Sequence, residues 1–270
     1  MNRIEKVFKK LEKRGETALI PFITAGDPSI EVTKGLVLEM AKRGADIIEL
    51  GLAFSDPLAD GPTIQAASFR ALEAGMNTEK YFSLVASIRK ESDIPLVLMG
   101  YYNPVLRYGL EAFARDAAEA GIDGTIIPDL PLEEAGPWIK ACNTYSLSNI
   151  LLVAPNTPQE RIKKIVRASK GFIYYVSVLG ITGARTSLPP QVAEGLEKVK
   201  SFTRKPVAVG FGISRPDQVK ALSSSSDGII VGSAIVRLVE KEFSGKDDPG
   251  GPKSYQRIGD FVESLKKATV

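Results

Sequence analysis

The sequence predicts an α/β fold closed into a (β/α)8 barrel, a single domain spanning residues 1–270 with one additional helix at each end. Three observations carry this expectation. Eight short, almost continuously apolar runs follow one another along the chain, as parallel strands buried on both faces do. Segments with 3.6-residue periodicity lie between them, so the chain reads as a succession of βαβ units. The length of 270 residues matches one such barrel, and no Gly-x-Gly-x-x-Gly follows the first run to favour an open dinucleotide-binding sheet.

Taken in order, a helical segment at 4–14 precedes the first strand and is placed to cover the bottom of the barrel. The strands are expected at 19–23, 47–50, 96–99, 125–127, 150–153, 172–176, 207–209 and 228–231. Helical periodicity is clearest at 32–43 and 110–120. It recurs at 78–91, where Tyr81, Phe82, Val85 and Ile88 fall on one face. Residues 223–226 form a short polar loop. Turn formers at 243–252 break the pattern, and an amphipathic helix at 255–268 is expected to pack back on the barrel.

Composition narrows the chemistry. Hydrophobic residues make up 44% and charged residues 25%, and the net charge of +3 is spread along the chain, so no basic stripe points to nucleic acid. There is no histidine and one cysteine, Cys142. Most transition-metal sites need those ligands, so no metal is expected. A Ser-His-Asp or Cys-His nucleophile is excluded. Cys142 reads as a small buried hydrophobe. The N-terminus has charges and no apolar core of a secretion signal, and no run approaches the roughly 20 apolar residues of a membrane span. The expectation is a cytoplasmic protein whose acid–base chemistry rests on carboxylates, Tyr or Lys.

In a barrel of this kind the working residues sit just after the strands. Glu49 lies within the second run, where strand alternation can turn it inward among apolar neighbours. Burial would raise its pKa toward what a proton donor needs near pH 7. Asp60 follows on a Gly/Pro-bounded loop able to fold over the barrel mouth, and two carboxyls in unlike surroundings can take unlike roles. The bland alternatives are a salt-bridge partner for Glu49 and a turn or cap residue for Asp60. Asp56, followed by proline, reads as a turn residue. After the seventh and eighth runs come Gly210-Phe211-Gly212 and Gly232-Ser233. In these positions glycines let backbone N–H groups and a helix N-terminus meet a phosphate, or they merely permit tight turns. Residues 180–187 read as a mobile lid with hinge glycines. Phe22, Tyr101, Tyr174 and Phe211 lie at strand ends, where they line an aromatic pocket or pack the core.

Read together, these segments resemble the tryptophan synthase alpha subunit family. The matching motifs are PFITAGDP at 21–28, the run 49–65, YNP at 102–104, PDLP at 128–131, GITGAR at 180–185, GFGI at 210–213 and GSAIV at 232–236. They are spread over nearly the whole chain, in family order. The resemblance implies a TIM barrel that cleaves indole-3-glycerol phosphate to indole and glyceraldehyde 3-phosphate. It implies Glu49 as the principal acid–base residue with Asp60 as its partner, and Phe22, Tyr101 and Tyr174 around the indole. Gly183, Gly212, Gly232 and Ser233 would hold the phosphate, and Thr182 would close near Asp60. No cofactor is implied in this chain. Pyridoxal phosphate would belong to a partner beta subunit in an alpha2-beta2 assembly, docking near residues 54–57. The alternatives are a stand-alone indole-3-glycerol-phosphate lyase, another phosphate-binding barrel enzyme, or a non-catalytic module that only activates a partner. Two departures stand out: Ala53 replaces the proline that usually precedes Phe54-Ser55-Asp56, and no family motif matches the tail from Phe243 onward.

Overall fold

The computed structural model describes residues 2–177, 190–210, 212–244 and 251–270. Eight parallel strands run β1 (Ala18–Thr24), β2 (Ile48–Gly51), β3 (Leu96–Met99), β4 (Gly124–Ile126), β5 (Ser148–Val153), β6 (Ile173–Val176), β7 (Val207–Gly210) and β8 (Gly228–Val231). Each pairs with the next, and β1 also pairs with β8, so the sheet closes into a barrel. The strands alternate between two sets of neighbours. On β1, Leu19 and Ile23 join the large outer core under the helices, whereas Ala18 and Ile20 join the inner cluster that fills the barrel. On β2, Ile48 and Leu50 belong to the outer core, so the residue between them, Glu49, faces inward.

The described helices are α1 (Arg3–Glu12), α2 (Ile30–Lys42), α3 (Pro62–Glu73), α4 (Thr78–Arg89), α5 (Tyr102–Tyr108) and α6 (Leu110–Ala120). They continue with α7 (Gly136–Thr144), α8 (Gln159–Ala168), α9 (Pro190–Lys200), α10 (Pro216–Ser223), α11 (Ser233–Phe243) and α12 (Pro252–Lys267). Side-chain caps start several of them: Asn2, Ser29 and Asn77 accept the N–H of Glu5, Val32 and Lys80. Helix α1 plugs the bottom of the barrel with Ile4, Phe8 and Leu11, each stabilising the fold by about 1.5–3 kcal/mol through burial.

The expected order of elements holds, with shifted boundaries and two additions. Ser29 starts α2 ahead of the periodic segment at 32–43, Phe243 ends α11 instead of opening a loop, and α12 begins at Pro252, not 255. Helices α3 and α5 are extra to one helix per βα unit and lie in segments where no helix is named from the periodicity. Gly61-Pro62 reads as a loop signal, yet proline at the first helical position starts α3. The unmatched tail packs on the barrel: Arg43, which caps the C-terminus of α2, holds Asp260 and Glu263 of α12 at 2.9 Å each, and Lys266 reaches Asp46 at 3.0 Å.

Candidate active site

A cavity of about 450 Å3 opens at the C-terminal ends of the strands. Its floor is made by inward-facing side chains, among them Phe22 of β1, Glu49 of β2, Met99 of β3, Leu152 of β5 and Tyr174 of β6. Residues 59–64 line it from the segment after β2, and Gly212, Gly232, Ser233 and Arg237 line it from the segments after β7 and β8. A second cavity, about 570 Å3, lies at the opposite end of the barrel and includes Lys170, Lys200 and Lys205. Two of these lysines are engaged by the fold. Lys205 Nζ donates to the carbonyls of Val166 and Ser169 at the end of α8, and Lys200 pairs with Asp227 at 3.0 Å. Among the described residues it holds no buried, unpartnered carboxyl of the Glu49 kind, so its larger volume does not make it the better site.

Glu49 is 1% exposed and pairs in register with Phe22 on one side and Val97 on the other. Its Oε2 has no hydrogen-bond partner among the described residues. Burial first, and the nearby Asp60 charge second, push its pKa up to about 8. Near neutral pH this carboxyl holds its proton. Asp60 is also pushed up, to about 6, by burial, while the Tyr101 hydroxyl opposes the rise by donating to Oδ2 at 2.9 Å. The influence runs one way for a physical reason. Glu49 is neutral at the pH where Asp60 titrates, whereas Asp60 is an anion by the time Glu49 titrates. At pH 7 the cavity therefore offers one proton donor and one carboxylate.

The Asp60 segment is held from below. Tyr101 accepts the Ala59 N–H at 3.0 Å and packs its ring on Phe54, with centroids 5.4 Å apart. Gln65 of α3 donates to the Asp60 carbonyl at 2.8 Å. Gly232 caps α11 without a side-chain bond; Ile235 donates to its carbonyl at 2.8 Å, while the N–H groups of Ser233 and Ala234 have no intrahelical partner. A Cβ at Gly232 would meet Phe22 only at 3.6 Å, ordinary contact, so packing does not demand glycine here; its small size keeps the helix N-terminus open to the cavity. Gly212 has φ 73°, a conformation that does favour glycine.

The structure thus brings Phe22, Glu49, Asp60, Tyr174, Gly212, Gly232 and Ser233 around one space. Tyr101 reaches it through Asp60 and does not line it. Thr182, Gly183 and Phe211, with the expected lid at 180–187, lie outside the described residues. Sequence reasoning misses the apolar lining from Met99, Ile126, Leu152 and Ile230, although every second strand position would have found it. It also misses Thr63 and Arg237, which come from helices. Cys142 is buried on α7, with its thiol pushed up to about 12 by burial, as expected of a packing residue.

Comparison with known proteins extends over the same span. The family described as tryptophan synthase alpha chain matches residues 8–268. The tryptophan synthase alpha chain of Geotalea uraniireducens is 49% identical over 266 residues, covering 98% of this chain and 97% of that relative. The one from Caldanaerobacter subterraneus is 51% identical over 267 residues, 99% of each. The crystal structure of tryptophan synthase subunit alpha from Legionella pneumophila superposes with a TM-score of 0.91 at 38% identity, covering 100% of this chain and 98% of that one. A tryptophan synthase structure from M. tuberculosis, in its aminoacrylate-bound form, gives 0.87 at 32% identity with full coverage of both chains. With fold, length and sequence agreeing from end to end, this chain belongs to the tryptophan synthase alpha chain family.

Proposed function

We propose that Glu49 and Asp60 are the acid–base pair with which this chain, as one barrel domain, carries out the alpha reaction of tryptophan synthase. That reaction is the reverse aldol cleavage of indole-3-glycerol phosphate into indole and glyceraldehyde 3-phosphate. One observation carries the assignment: a buried carboxyl that keeps its proton at pH 7 and has an unpartnered oxygen, across the same cavity from a carboxylate.

The bond between indole C3 and the glycerol phosphate breaks only after C3 becomes tetrahedral. Glu49 delivers a proton toward C3, and the indole nitrogen takes on positive charge. Asp60, ionised and held by Tyr101, accepts a hydrogen bond from the indole N–H and stabilises that charge. Glu49, now a carboxylate, removes the proton of the glycerol hydroxyl. The C–C bond breaks, its electrons restore the indole ring, and the aldehyde leaves with its phosphate. Glu49 ends protonated, as it began. Positioned proton transfer contributes about 10²–10⁴-fold, so orientation must supply the rest. Phe22 and Tyr174 flank the indole end, and Gly212, Gly232 and Ser233 receive the phosphate at the helix N-terminus. By family resemblance Gly183 joins the phosphate group, Thr182 closes near Asp60, and Phe211 is a further substrate-binding residue.

The alpha reaction uses no cofactor, and pyridoxal phosphate belongs to the partner beta subunit. We place the docking surface on the segment around Asp56, where Ser55, Asp56 and Leu58 are exposed beside Asp60, and the working state in an alpha2-beta2 assembly in the cytoplasm. No helix among the described residues is long and apolar enough to cross a membrane. Incubation with indole-3-glycerol phosphate, watching for free indole, tests the proposal. Indole release that Asp60→Asn suppresses is expected. No indole, with or without the beta subunit, overturns it.

A further inference from the structure

We propose that Arg237 is a phosphate-binding residue: the side-chain cation that closes the open end of the cavity and selects a doubly charged substrate. The proposal rests on the phosphate end assigned above.

The cavity holds two carboxyls, Glu49 and Asp60, and Arg237 is the one cationic side chain lining it among the described residues. Backbone N–H groups at Gly232 and Ser233 offer hydrogen bonds but no net charge. A phosphate dianion entering the cavity that holds the Asp60 carboxylate is opposed unless a cation faces it, and a guanidinium presents donors in a fork that fits phosphate oxygens.

Placement follows from helix geometry. Arg237 is four residues after Ser233 on α11, hence on the same face one turn along. Side chains on a helix lean back over the turn N-terminal to their own Cα, so Arg237 leans toward the free N–H groups of the α11 N-terminus. Its Nη1 reaches Thr63 Oγ1 of α3 at 3.4 Å, and Thr63 lines the same cavity. The guanidinium therefore spans from α11 to α3 across the end where the phosphate sits.

Arg237 is also uncommitted. The nearby α11 carboxylate Glu240 is held by Arg70 at 2.8 Å, and Arg70 also grips the buried Asp27. Among the described residues Arg237 has no ion pair, and its bond to Thr63 is long and weak. Swinging onto a phosphate costs it little, and its exposed position makes substitution harmless to the core.

The test uses the complex with the beta subunit and the variants Arg237→Ala and Arg237→Lys. With indole-3-glycerol phosphate, Arg237→Ala is expected to raise KM roughly ten-fold, the loss of one charge-assisted contact, with kcat changed by less than about two-fold. Lysine should restore part of the affinity, since it keeps the charge and loses the fork. Inorganic phosphate, titrated by calorimetry, should bind Arg237→Ala roughly ten-fold more weakly than the parent, while indole binds both alike. Unchanged KM and unchanged phosphate affinity overturn the proposal. A fall in kcat at constant KM also overturns it. If the parent chain forms no indole, the proposed function fails, and the phosphate titration decides the Arg237 assignment alone.

Discussion

Replacing Tyr101 by phenylalanine removes the one oxygen that donates to Asp60 and accepts the Ala59 N–H, and leaves the ring on Phe54. The Tyr101 hydroxyl holds the Asp60 pKa down against burial, which leaves it at about 6. A hydrogen bond to a carboxylate contributes about 1.5 kcal/mol, close to the ~1.4 kcal/mol that equals one pKa unit. The Asp60 titration should therefore move from about 6 toward roughly 7. At pH 7 the ionised fraction would fall from about nine-tenths to about one half. The lost Ala59 N–H contact loosens the same segment and adds to the deficit, for a total loss of roughly five- to ten-fold in kcat/KM at pH 7. The assay is the pH profile of kcat/KM for indole release. The parent should give a bell with an acidic limb near 6, from Asp60, and a basic limb near 8, from Glu49. In Tyr101→Phe the acidic limb should shift upward and the basic limb stay in place. A folded variant whose acidic limb has not moved refutes the idea that Tyr101 works by keeping Asp60 ionised.

Three further outcomes are expected. Glu49 titrates at its ordinary 4.5 in the unfolded chain and near 8 in the fold, so between those values the folded protein keeps a proton that the unfolded chain has lost, and stability falls as pH rises. Glu49→Gln lacks that loss and should gain about 3–5 kcal/mol relative to the parent between pH 4.5 and pH 9, read by urea unfolding; parallel pH curves would contradict the buried, protonated Glu49. Gly232→Val should raise KM at least about ten-fold by filling the phosphate end, whereas Gly232→Ala, with only a 3.6 Å contact to Phe22, should fold normally; equal affinity for inorganic phosphate in the Val variant would remove Gly232 from the site. Adding the beta subunit should raise indole formation, and Asp56→Ala should reduce that stimulation more than the activity of the chain alone; a flat titration with no complex by ultracentrifugation would speak for a stand-alone lyase.

Sequence reasoning reaches Glu49 because a strand alternates with period two, and a carboxylate between Ile48 and Leu50 must face the other way from both. The glycines after β7 and β8 are equally legible, since their position relative to a strand end carries the meaning. What escapes is whatever depends on distant residues or on helix ends. The bond from Tyr101 to Asp60 joins residues 41 apart, and no local pattern announces it. Helix α3 hides because Gly61-Pro62 punctuates a loop as readily as it opens a helix. Arg237 hides on an amphipathic helix, where an exposed cation usually means only a solvated face. The α12 tail shows no motif, yet its ion pairs with Arg43 and Asp46 fix it on the barrel through charges that composition alone does not pair.

The central claim is that Glu49 moves the proton. Glu49→Gln keeps the side-chain size and leaves an amide that can neither give nor take a proton at pH 7. Single-turnover indole release by the folded variant, saturated with indole-3-glycerol phosphate in the beta-subunit complex, tests this most directly. The account predicts a loss of at least about 10²-fold with phosphate binding retained. Indole released at close to the parent rate would show that the proton travels by another group.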